Sequence, residues 1–172
     1  MAESAIYFWN EVALELARRD YEPFVGSSGA PMIMPEQAGP TRTSRALAMI
    51  HVAMYEALAL SDPASGLTPF GLAVGAAPAG PVGAAATGAA VSTMQALFKN
   101  AAQKAYVEDR AAFYTQMLRA GGATQASIDA GKAFGAKVGA AMIKDREGDT
   151  PIVGQPDDRN YKVERCHHQA DP

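Results

Sequence analysis

At 172 residues the chain is long enough for one domain with a buried core, and its length gives no reason to divide it. Apolar residues make up 48% of it but aromatic residues only 8%, so much of the hydrophobicity is alanine, which favours closely packed helices over a sheet of β-branched residues. Fifteen Lys plus Arg stand against eighteen Asp plus Glu, a net charge of −3 with the basic residues scattered, which excludes a stripe that tracks a nucleic-acid backbone.

No apolar run approaches the ~20 residues that span a bilayer. The opening, MAESAIYFWNEVALE, lacks the basic and apolar regions of a secretory signal, so the chain as written is expected to be cytoplasmic, with no membrane partner. The first periodic stretch runs from about Ser4 to Asp20, where Ile6, Trp9, Val12, Ala13 and Leu16 recur at steps of three and four. Ser4 is the expected N-cap, and Arg18 and Arg19 suit the negative end of the helix dipole. From Tyr21 to Pro40 prolines and glycines predict irregular structure, long enough to lie over a partner or a second domain.

TSRALAMIHVAMYEALAL, about Thr43 to Leu60, is apolar on all sides except at His51, Tyr55 and Glu56, and is expected to be the buried spine of the core. Residues 61–81 form a second Pro/Gly-rich connection. A third helix is predicted over Val82 to Phe98 and a fourth over Ala101 to Arg119, with Tyr106, Phe113, Met117 and Leu118 as core candidates. Thr124 caps a fifth that reaches about Arg146. Within it Gly131, Gly135 and Gly139 repeat every four residues; each lowers helix propensity by roughly 1 kcal/mol relative to alanine, so their spacing predicts a seam against another helix backbone. From Glu147 the chain is polar and aperiodic, apart from a short strand-like YKVE. The expectation is an all-α bundle of about five helices, a scaffold domain over residues 1–150 and an irregular tail over 151–172.

Two constellations have the residue types for chemistry. In the tail, Cys166, His167, His168 and Asp171 are all metal-ligand types. In an extended segment Cys166 and His168 share one side while His167 faces the other, so at most a pair converges, and no CxxC or HxxxH completes a set. A polar connector is the preferred reading. In the second helix Arg45 and His51 project to neighbouring points, and Tyr55 follows His51 at i+4. An arginine fork beside a histidine suits an oxyanion such as phosphate or vanadate. The competing reading is a hydrogen-bonded core histidine and an arginine paired near the helix start, and it is preferred. No nucleophile elbow, Walker loop, HExxH or EF-hand loop is present.

Taken in order, YFWNEVALELARRD, GPTRTSRALAMIHVAMYEAL, an alanine-rich helix ending in ALF, and AGKAFGAKVGAAMIKDREGD resemble the N-terminal helical half of the vanadium-dependent haloperoxidases, within the type-2 phosphatidic acid phosphatase superfamily. The resemblance covers about residues 6–150, and Trp9-Asn10 and the helix from Arg45 to Tyr55 are its most specific pieces. It implies a helical fold whose complete enzyme binds vanadate and oxidises halide with peroxide, or, in related members, hydrolyses phosphate esters through the same histidine. The family's catalytic motifs lie in its C-terminal half. Here the Arg-Pro and Ser-Gly-His motifs are absent, and Ser44-Arg45 with His51 reproduces part of the third with Tyr55 where an aspartate belongs. Arg45 and His51 are therefore read as a decoy, without the remaining donors that an oxyanion needs.

The expectation is a scaffold that is inactive alone, with vanadate bound outside it, and a C-terminal catalytic half, in the same or a separate polypeptide, as its partner. A homodimer is compatible with the resemblance. The alternatives are the same fold serving a phosphate-ester hydrolase, or a non-catalytic helical interaction module that uses the glycine seam to hold a partner helix.

Overall fold

The computed structural model describes residues 2–21 and 35–147. Five helices make up most of this part: α1 (Ala2–Tyr21), α2 (Pro40–Ser61), α3 (Val82–Leu97), α4 (Ala101–Ala120) and α5 (Gln125–Asp145), with a single 3-10 turn at Pro63–Ser65 and no strand among the described residues. The protein is an all-α helical bundle. The tail, including the strand-like YKVE, lies outside the described residues.

The helix boundaries follow local chemistry. Asn100 caps α4 by accepting from the Ala102 N–H, and Thr124 caps α5 by accepting from the Ser127 N–H. Pro40 opens α2 at a position where its missing N–H has no partner to lose, after Gly39 at φ 82°. At the other end of the chain, α1 begins at Ala2, so Ser4 falls inside its first turn instead of capping it.

The largest departure from expectation concerns the centre. α3, not α2, is the spine: it packs against each of the other four helices, and every residue from Gly83 to Ala90 is buried. Its composition explains this. Glycine, alanine and threonine present so little side chain that neighbours can approach from all sides. On one side lies a core built from Trp9, Leu16, Ile50, Met54, Met94, Phe98 and Val107. On the other lies a second core of Met49, Ala53, Ala57, Ala85, Ala89, Phe134, Val138 and Met142. α2 contributes to both but leaves Ser44, Ala48 and Tyr55 exposed.

The glycine stripe of α5 is the contact line with α3. A Cβ placed on Gly135 would stand 1.9 Å from the Ala85 carbonyl oxygen, and one on Gly139 would stand 2.8 Å from Ser92 Cβ. Gly88 answers from α3, where a Cβ would stand 2.1 Å from the Lys132 carbonyl oxygen. The seam is thus filled from within the chain, which removes it as a docking line for another helix.

On α4 the expected core residues are borne out in part. Gln103, Val107, Ala111 and Tyr114 face inward, whereas Phe113 and Met117 are exposed and Tyr106 and Leu118 are half-buried. The inward set follows steps of four, four and three, and of the expected residues Tyr106 and Leu118 pack against the core beside it while Phe113 and Met117 do not share its phase.

Candidate functional site

The candidate pair in α2 is divided between different neighbours. Arg45 Nη2 donates to the Arg146 carbonyl at 2.7 Å, just beyond α5. The His51 ring bonds the Leu47 carbonyl through Nδ1 at 2.7 Å and Asn10 Oδ1 through Nε2 at 3.1 Å. Tyr55 turns outward and donates to the Thr68 carbonyl at 2.7 Å. The three side chains fasten α2 to the end of α5, to α1 and to the connection after α2. Each makes a bond to a separate element, whereas an oxyanion cage needs donors that converge on one point. Arg45 and His51 as placed do not fit vanadate.

Trp9 and Asn10 explain each other's position. These neighbours on α1 point to different helices: Trp9 Nε1 donates to Thr87 Oγ1 on α3 at 3.1 Å, and Asn10 meets His51 on α2. Thr87 in turn donates to the Gly83 carbonyl at 2.7 Å, so the buried hydroxyl is satisfied both ways. Phe8 and Tyr114 pack around Trp9 with ring centroids 5.2 and 6.2 Å away.

Two buried acidic residues were not singled out by sequence. Glu56, fully buried in α2, accepts from the backbone N–H groups of Phe70, Gly71 and Leu72, the latter two at 3.1 and 2.8 Å. One carboxylate thereby holds the Pro/Gly-rich connection against the bundle. Asp20, at the end of α1, accepts from Glu36 N–H at 3.1 Å, Gln37 N–H at 2.8 Å and Gln103 Nε2 at 3.1 Å. A glutamate in an apolar helix, followed some 15 residues later by Phe-Gly-Leu, is the signal that sequence reading had available for the first. Nothing comparable marks Asp20. Each carboxylate accepts three hydrogen bonds and acts as a tether.

On the outer face, Glu15 accepts from Arg18 Nε at 2.7 Å and Arg19 Nε at 2.8 Å. These hydrogen bonds, Arg18 first, hold its carboxyl at about 2, below the usual 4.5. Arg19 lies 4.0 Å from the centroid of the Tyr106 ring, whose hydroxyl is pushed up by burial and then by the Glu15 charge. Together these side chains form a charged patch on the outer face of the bundle.

A pocket of about 160 Å³ lies between the start of α3 and the end of α4, lined by Pro81, Val82, Gly83, Tyr114, Met117, Leu118, Gly121 and Ala123. Apart from the Tyr114 hydroxyl, its walls carry no acid, base or nucleophile. Among the described residues no three His, Cys, Asp or Glu side chains gather to hold a metal ion, and no helix is long and apolar enough to cross a membrane. Cys166, His167, His168 and Asp171 lie outside the described residues.

No family model, curated protein or solved structure matches this chain. The functional reading therefore rests on its own residues and on the resemblance that they carry.

Proposed function

We propose that this chain is the N-terminal helical scaffold of a vanadium-dependent haloperoxidase-like enzyme, packing against a catalytic half carried by the same or a separate polypeptide. One observation carries the reading: the two segments most specific to the resemblance, Trp9-Asn10 and the helix from Arg45 to Tyr55, are in contact through Asn10 and His51. Residues that make the resemblance in sequence are residues that join α1 to α2. The all-helical fold agrees with that role.

The chemistry is assigned elsewhere for a physical reason. Bound vanadate in the resembled family activates peroxide toward halide, and holding it requires several donors on one oxyanion. Arg45 donates to a backbone carbonyl and His51 spans Leu47 and Asn10, so neither is poised for that task. What this chain supplies is a rigid wall of packed helices, fastened by the Asp20, His51 and Glu56 tethers.

The test is an activity assay with vanadate, hydrogen peroxide and bromide, run in parallel with a phosphate ester. The purified chain is expected to be inactive in both. Activity is expected once it is combined with a polypeptide bearing the Ser-Gly-His and Arg-x5-His motifs, sought in the gene beyond codon 172 and in neighbouring reading frames. Halogenation by the chain alone overturns the scaffold reading; ester hydrolysis without halogenation by the combined protein moves the assignment to the phosphatase branch.

A further inference from the structure

The joint between α1 and α2 includes a side-chain bond whose two partners differ in what they can offer. His51 Nδ1 lies 2.7 Å from the Leu47 carbonyl, an acceptor only, so Nδ1 carries a hydrogen in either charge state of the ring. Nε2 is then the nitrogen that changes: a lone pair when the ring is neutral, an N–H when it is charged. Opposite it stands Asn10, 3.1 Å away, a primary amide with an acceptor on one side and donors on the other.

We infer that the Asn10 amide turns over when His51 gains or loses its proton, so that this α1–α2 tether stays closed in both charge states. Oδ1 stands 3.1 Å from Nε2 and Nδ2 3.5 Å from the Glu11 carboxylate, a placement in which a charged ring would donate Nε2–H to Oδ1. With a neutral ring, half a turn of the amide places an Nδ2 hydrogen on the Nε2 lone pair and Oδ1 toward solvent near the exposed Glu11. A primary amide can serve both states at one position, as a hydroxyl could; a carboxylate accepts only, and an aliphatic side chain does neither.

From α1, Glu11 faces the amide. From α2, Arg45 donates to the Arg146 carbonyl and Tyr55 to the Thr68 carbonyl. Arg146, which follows α5, is met through its backbone oxygen. α3 and the connection over residues 66–81 contain no titratable side chain.

The experiment is a pH titration from 5 to 8 by NMR on isotope-labelled protein, following the His51 ring and the Asn10 side-chain amide. The two amide protons are expected to shift with the same midpoint as the ring. Amide signals that stay fixed while His51 titrates overturn the inference. Asn10→Asp gives an independent reading by urea denaturation: its unfolding equilibrium constant is expected to rise about tenfold between pH 5 and pH 8 relative to the parent, because a carboxylate can meet only the charged ring. Asn10→Leu is expected to be weakened equally at both ends of the range. An Asn10→Asp protein that follows the parent across the range counts against the exchange. Should that variant not fold, the titration of the parent still decides.

Discussion

Glu56 is the residue whose role a sequence hides best. It interrupts an apolar helix, as His51 and Tyr55 do, yet it is fully buried with three backbone N–H groups converging on it. Removing it leaves those donors without a partner in a dry site, so Glu56→Ala is expected to lower stability by about 3 kcal/mol in urea denaturation. Glu56→Gln keeps one acceptor oxygen and is expected to lose roughly half as much. Glu15 behaves differently because it is on the surface and its partners are arginines. Its folded value of about 2 lies below the usual 4.5, so whatever it contributes is present above 4.5 and is lost as the pH falls through about 2. The stability difference between the parent and Glu15→Gln is therefore expected to be constant above pH 5 and to shrink in acid, followed by thermal melts across that range. At this scale the inward side of α1, with Trp9, Val12, Ala13 and Leu16, is legible from period alone. The partners of Glu56 and Asp20, and the Asn10 partner of His51, are not, because these bonds join residues separated by 14 or more positions and depend on how whole helices come together.

The glycines of α5 belong to the scale of elements, since their meaning lies in the distance between two helix axes. On an isolated helix Gly135→Ala would be favourable by roughly 1 kcal/mol. Against α3 the added methyl meets the Ala85 carbonyl at 1.9 Å, and backbone cannot give way as a flexible side chain does. Gly135→Ala is therefore expected to destabilise by about 2 kcal/mol or more, read from the midpoint of chemical denaturation. A melting temperature equal to or above the parent's would show that the seam opens with little strain. Sequence reading finds this seam because glycines four residues apart line up on one helix face, where they lower helix propensity and gain only by letting another backbone come close. It also finds the Thr124 cap, because capping is decided within four residues. It places α4 but misses part of its inward face: Phe113 stacks on Phe8, 6.0 Å between centroids, and is exposed, while Ala111 and Tyr114 face the core.

At the scale of the molecule, the number and order of helices are legible because Pro/Gly-rich segments bracket them, whereas the identity of the central helix is not. α2 has the larger apolar side chains and reads as a spine; α3 has the smaller ones and is the spine, because being surrounded depends on being thin enough to be approached from every side. That placement has a consequence for how the protein comes apart. Both apolar cores use α3 as a wall, so neither can open without exposing the other, and the bundle has no plane along which half of it could detach intact. Native-state hydrogen exchange is expected to show the amides of Ala84 to Ala90 exchanging only through global unfolding, with free energies equal to that of the whole domain. If they exchange through a lower-energy opening together with α5, the two cores are separable after all. The smallest residues in the sequence would then mark only a crowded contact, whereas the arrangement described makes them the keystone on which cooperative unfolding depends.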